Sequence, residues 1–132
     1  MHLLIDVGNS RLKWVAVIGE YDEAAITQFG LLAELEIYIQ SIDTTATDVL
    51  LAAVNQTQEL IALLEGSNFR SVTSVKSQFK QQGVENSYSQ PERMGVDRWL
   101  AMIAAYRLVA DEEGVIVVDA GSAMTIDIVS EQ

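Results

Sequence analysis

Two short segments of this chain have the residue types that hold a phosphate-bearing ligand. Leu4-Ile5-Asp6-Val7-Gly8-Asn9-Ser10 and Val117-Val118-Asp119-Ala120-Gly121-Ser122-Ala123 share one plan: an apolar run of strand length, an aspartate, any residue, a glycine, then a small polar residue leading into a second strand. An aspartate at a strand end beside a tight turn aims a carboxylate at the ligand. The glycine lets the main chain approach a phosphate closely, and small hydroxyl or amide side chains with turn N–H groups donate to its oxygens. Two such hairpins can grip a polyphosphate and its Mg²⁺ from both sides. Either segment alone reads better as an ordinary turn, because Asp and Gly are the commonest turn residues. The repetition, with Asp6 and Asp119 separated by 113 positions, favours the ligand-holding reading.

The elements that must position these residues follow from punctuation and period. Leu3 to Ile5 reads as a buried strand, Leu12 to Ile18 as a second strand ended by Gly19, and Ala24 to Phe29 as a third closed by Gly30. Leu32, Leu35, Ile39 and Ile42 fall on one face of a helix over 32–42. Val49 to Val54 is a continuous apolar run, the mark of a strand covered on both sides. Thr57 to Glu65 reads as a helix ended by Gly66, and Ser71 to Val75 as a weaker strand. Residues 77–94 are polar, contain the single proline Pro91, and read as a long loop. Asp97 to Glu113 reads as a helix whose stretch Trp99 to Tyr106 carries no charge, so it should be covered on most sides. Val115 to Val118 and Met124 to Val129 complete the pattern as buried strands. Three strands followed by alternating helix and strand define an α/β domain with a mixed sheet.

The first copy of the repeat opens a unit running to about residue 113, and the second has only residues 115–132 before the chain ends. Two strands do not make a stable domain alone. The expectation is therefore a first domain at 1–113 and the start of a second at 114–132, with the remainder of that second domain outside this chain.

Bulk properties exclude several classes. The chain has 132 residues and 49% apolar residues, enough for a real core. A net charge of −11 argues against a general nucleic-acid or membrane-surface binder, but not against a single nucleotide held by local donors. Cysteine is absent, so disulfides and thiolate metal sites are excluded. Met1 to Ile5 is too short for a signal peptide, and no apolar run approaches a membrane span. The expectation is a cytoplasmic protein.

The pair of Asp-x-Gly hairpins resembles the actin, hexokinase and heat-shock-chaperone superfamily, which implies a ribonuclease H-like, actin-like ATPase fold. The intervening segment narrows the resemblance. Ile5 to Trp14, Tyr88, Pro91 to Ala101 with its Gly-x-Asp-Arg element, and Val118 to Asp127 are similar to the type III pantothenate kinase pattern, in order, along the whole chain. That resemblance implies an ATP- and Mg²⁺-dependent homodimer that phosphorylates pantothenate to 4'-phosphopantothenate, the first step of coenzyme A biosynthesis. It implies that Asp6, Val7, Gly8, Asn9, Ser10, Arg11, Leu12 and Lys13 form the first ATP phosphate loop, with Asp6 orienting Mg²⁺ through water. Tyr88, Gly95, Val96, Asp97 and Arg98 would contact pantothenate, and Asp97 would be the general base. Asp119 would bind a monovalent cation, potassium or ammonium, and Ser122 would contact ATP. Ser122 stands where threonine is common and keeps the hydroxyl. The family's later glycine-rich segment and a downstream substrate-contacting threonine have no counterpart before Gln132, so this chain alone is expected to be an incomplete enzyme.

The residues themselves leave alternatives. Asp97 outside its motif is an N-terminal helix charge. Arg98 has the planar fork that matches a carboxylate, or it makes a surface ion pair with an acid such as Glu92. Tyr88 stacks on or hydrogen-bonds a substrate, or is a half-buried loop tyrosine. Lys13 reaches phosphate or faces solvent. Asp127 supports the second hairpin from behind, Trp14 and Trp99 belong to the core, and His2 is incidental. Beside the kinase stand two other readings: a non-catalytic regulator or binding module that keeps the fold, and another small-molecule kinase, which the Gly-x-Asp-Arg context disfavours.

Overall fold

The computed structural model describes residues 1–8, 11–20, 25–55, 57–109, 114–121 and 123–130. The chain forms two compact units, Met1–Val75 and Lys76–Gln132. The boundary expected at 113/114 falls inside the second.

The first unit contains β1 (His2–Val7), β2 (Leu12–Val17), β3 (Gln28–Gly30), α1 (Leu32–Gln40), a 3-10 turn (Thr44–Ala46), β4 (Asp48–Ala53), α2 (Gln58–Gly66) and β5 (Ser71–Ser74). One mixed sheet runs in the order β3-β2-β1-β4-β5. β1 to β3 are an antiparallel meander, while β4 joins β1 and β5 in parallel. Successive strand residues face opposite ways, so Leu3, Ile5, Trp14, Val49 and Leu51 share one face. They form a core with Leu35 and Ile39 of α1 and Leu60 and Leu64 of α2. The helical spacing read from 32–42 is reproduced: Leu35 and Ile39 are buried, and Leu32 and Ile42 pack at the margin. α1 opens with the Glu34 carboxylate accepting the Leu31 N–H. α2 opens with Thr57 Oγ1 accepting the Leu60 N–H at 3.2 Å, which satisfies one of its free donors.

β4 departs from expectation. Its apolar run is covered on one face only, since Leu50 and Val54 are exposed. Both helices of this unit pack on the Val49 and Leu51 side, so the run is more apolar than its local burial requires.

The second unit contains a hairpin of β6 (Lys80–Gln81) and β7 (Val84–Glu85), a 3-10 turn (Pro91–Arg93), α3 (Val96–Leu108), and a second hairpin of β8 (Val115–Ala120) and β9 (Met124–Val129). The long loop expected at 77–94 thus contains a short hairpin and a 3-10 turn. Ser77 Oγ donates to the Met94 carbonyl at 2.9 Å. The buried Asn86 accepts the Tyr88 N–H at 3.0 Å and donates to the Pro91 carbonyl. Trp99 Nε1 donates to Gln81 Oε1 at 3.1 Å. The Ser77 and Gln81 bonds join residues 17 and 18 positions apart, which is why local reading finds mainly polarity there.

α3 ends at Leu108, earlier than the expected 113, and the acids at 111–113 lie outside the described residues. Its last turn carries Arg107, the charge a helix C-terminus prefers. Only one side of α3 is well covered: Val96, Trp99, Met102 and Ile103 are buried, whereas Ala104 and Leu108 are exposed. The β8–β9 hairpin also has one covered face. Val117 and Val129 pack on the Trp99 cluster, while Ile116, Val118, Met124, Ile126 and Ile128 are exposed. The expectation of fully buried strands is corrected here, because α3 covers only the inner side. No helix among the described residues is long and apolar enough to cross a membrane.

At the start of the parallel strands, Asp48 accepts from Arg70 Nε at 2.9 Å, from Arg70 Nη2, and from Ser71 Oγ at 2.7 Å, with His2 Nδ1 at 3.9 Å. The Arg70 hydrogen bonds, then that of Ser71, hold its carboxyl well below the ordinary aspartate value of 3.8. A carboxylate depressed in the folded state stabilises the fold above its unfolded pKa, and that contribution is lost as pH falls through the folded value. The melting-temperature gap between wild type and Asp48→Asn should therefore hold steady from pH 7 to 5 and shrink below about pH 4. A gap that widens on acidification contradicts this.

Candidate active site

In the first unit, Asp6 and Lys13 are directly opposed across the β1–β2 ladder. They lie on the face away from Ile5 and Trp14, with Lys13 Nζ 3.4 Å from Asp6 Oδ2. The connecting turn is closed by the Gly8 N–H donating to the Arg11 carbonyl at 3.2 Å. A Cβ on Gly8 would sit 3.2 Å from that carbonyl oxygen, so a larger residue would press on the closure itself. Val7 and Leu12 pack against the core. Within the expected phosphate loop those two residues therefore offer main chain rather than side chains. Asn9 and Ser10 lie outside the described residues.

The second hairpin repeats the plan. Asp119 opposes Thr125 in the β8–β9 ladder, and the Gly121 N–H donates to the Ala123 carbonyl at 3.1 Å. Asp119 is exposed. Ser122 lies outside the described residues. The register puts Asp127 on the same face as Asp119, one row further from the turn.

Around the start of α3 the same unit gathers Tyr88, Gly95, Val96, Asp97 and Arg98. Gly95 is the residue before the first helical turn, and its carbonyl accepts the Trp99 N–H at 3.0 Å. Val96 is buried, so it too can offer a ligand only main chain. Asp97 is exposed, and its Oδ1 accepts the Arg98 N–H at 2.9 Å. Arg98 does not pair with Glu92. Its Nε donates to Asp127 Oδ2 at 3.0 Å, its Nη2 donates to Asp127 Oδ1, and its Nη1 donates to the Tyr88 hydroxyl at 3.3 Å. The Asp127 bonds, then that of Tyr88, push the guanidinium pKa further above its ordinary value, so Arg98 is a fixed cation. Asp127 is 8% exposed. A cleft of about 850 Å³ is lined in part by Tyr88, Met94, Met102, Tyr106 and Asp127.

Sequence reasoning missed two contributors. The sequence puts Asp127 behind the hairpin with no sign of its partner Arg98, and it does not single out Asn86, which fixes the backbone at Tyr88. The Asn86-Ser87-Tyr88 spacing suits a side chain bonding its own backbone two residues on, and is the one local signal for it. Trp14 and Trp99 are buried as expected.

The family model for type III pantothenate kinase matches residues 2–132, and the chain belongs to that family. It is similar to proteins named type III pantothenate kinase from Pseudomonas syringae pv. syringae (38% identical), Marinomonas sp. (33%) and Colwellia psychrerythraea (34%). Each comparison covers 98% of this chain and 51–53% of the relative. The chain spans about half the length of the curated relatives it matches.

Gly95 makes a direct test of how Asp97 is held. Its φ of −55° suits any residue, yet a Cβ there would lie 2.6 Å from Asp97 Oδ1. Gly95→Ala should leave the melting temperature nearly unchanged while turning the Asp97 carboxylate off the Arg98 N–H, seen as faster exchange of that amide. Unaltered exchange would show that the carboxylate is not confined by Gly95.

Proposed function

We propose that the full-length protein phosphorylates pantothenate with ATP, giving 4'-phosphopantothenate in the first step of coenzyme A biosynthesis. The observation that carries this reading is the exposed Asp97 carboxylate beside the anchored Arg98 guanidinium at the start of α3, in a chain of this family.

Phosphoryl transfer depends on positioning and charge neutralisation more than on covalent help. The primary alcohol oxygen of pantothenate attacks the γ-phosphorus, the bond to the ADP leaving oxygen breaks, and the alcohol proton passes to Asp97. Arg98 donates to the pantothenate carboxylate, a match of fork to acceptor that lysine does not offer. Tyr88 flanks that contact, and Gly95 and Val96 contribute main chain. The Asp6–Lys13 hairpin meets the ATP phosphates through its turn amides and the Lys13 ammonium, and Ser122 meets ATP from the second hairpin.

The acids suit these ions only as partial ligands. Among the described residues no group of three metal-ligating side chains occurs. The half-exposed Asp6 therefore fits Mg²⁺ through water, with phosphate oxygens completing the shell. Asp119, without a polar side-chain partner among the described residues, fits one ligand of potassium or ammonium. Such ions, when bound, neutralise phosphate charge. The uncovered apolar flank of α3 at Ala104 and Leu108 supports a homodimer with this helix at the interface. The five-stranded mixed sheet supports an actin-like, ribonuclease H-like fold; the enzyme is read as cytoplasmic, and a subdomain division at 113/114 would lie within the second compact unit.

Asp97→Asn in the full-length protein should lower turnover by about 10²–10⁴-fold while ATP affinity stays within a few-fold. Near-normal turnover removes Asp97 as the base. ADP release measured with pantothenate, sugars or acetate as acceptor separates the readings: release with sugar or acetate points to another small-molecule kinase, and none with any acceptor to a binding module.

A further inference from the structure

Arg98 is already held in place within the second unit. Three of the five N–H groups of its guanidinium are engaged by Asp127 and Tyr88. Among the described residues, one N–H on each terminal nitrogen is left free. Asp127 sits on β9 opposite Val117, and Val117 packs on the Trp99 cluster. The carboxylate therefore stands on a packed strand rather than on a loop.

We propose that Asp127 is a positioning residue of the acceptor site: its carboxylate locks the Arg98 guanidinium side-on, so that the two remaining N–H groups are presented to an acceptor carboxylate. This rests on the reading of Arg98 as the pantothenate-carboxylate contact. An arginine side chain that must be ordered when the ligand arrives gives up affinity, and one ordered beforehand does not. Pairing also sets the electrostatics. Arg98 and Asp127 together are neutral, so the ligand is recognised by the direction of donors more than by an isolated positive charge. Asp127 itself touches no substrate in this account; its effect passes through Arg98.

The test uses Asp127→Asn, Arg98→Ala and the double variant in the full-length protein, with KM and kcat measured for pantothenate and for ATP. Asp127→Asn should raise the pantothenate KM by about 10- to 100-fold, the scale of a lost charge-assisted hydrogen bond, and leave the ATP KM within about twofold. The double variant should have a pantothenate KM no higher than that of Arg98→Ala, because coupled residues are not additive. An unchanged pantothenate KM in Asp127→Asn overturns the proposal. So does an equal rise in both substrates' KM, the mark of general structural damage. Arg98→Ala reports separately on the reading beneath: a wild-type pantothenate KM there means that the role of Arg98 is wrong, and the proposal falls with it. If Asp127→Asn does not fold, Asp127→Glu keeps the charge but displaces the guanidinium. It should raise the pantothenate KM several-fold at constant ATP KM, and an unchanged value is again fatal.

Discussion

The bidentate pair between Arg98 and Asp127 is the constraint on which the geometry at the start of α3 depends. It ties the first turn of α3 to the inner face of the β8–β9 hairpin, beside a cluster built on Trp99. Charge-assisted hydrogen bonds contribute about 1.5–3 kcal/mol each, and leaving a buried charge without its partner costs more than an exposed pair gains. The pair therefore fixes Arg98 to one geometry. Asp97, the residue before it, inherits that geometry through the common helical turn and through its bond to the Arg98 N–H.

The two hairpins use one device with different settings. In each, a glycine N–H reaches a carbonyl two or three residues on and closes the turn, and the aspartate two residues before the glycine stands in the ladder. In the first, that aspartate faces away from the core and meets Lys13. In the second, it lies on the face that carries Asp127. The side chains of Val7, Leu12 and Val96, residues that the resemblance assigns to ligand contacts, pack inward. At those positions only the main chain is left to meet a ligand, the group that phosphate-binding turns generally use.

What the sequence made legible was periodic or punctuated. The α1 face at Leu35 and Ile39, the Thr57 start of α2, and the paired Asp-x-Gly turns all follow from local spacing. What stayed hidden was long-range. Nothing near Arg98 announces Asp127, 29 residues away, and Glu92 is the closer acid by sequence. Residues 77–94 read as a loop because much of their order comes from Ser77 and Gln81 bonding to groups 17 and 18 positions away. Apolar runs at 49–54 and 115–118 announced strands correctly but overstated their cover, because an apolar run shows what a strand can bury and not what lies against it.

The most direct test is a crystal structure of the full-length protein with pantothenate and a non-hydrolysable ATP analogue. The account predicts the pantothenate primary hydroxyl within hydrogen-bond reach of Asp97, roughly 3 Å, and its carboxylate on Arg98 while Arg98 still holds Asp127. A hydroxyl out of reach of Asp97, or an Arg98 that abandons Asp127 to bind the substrate, would contradict it.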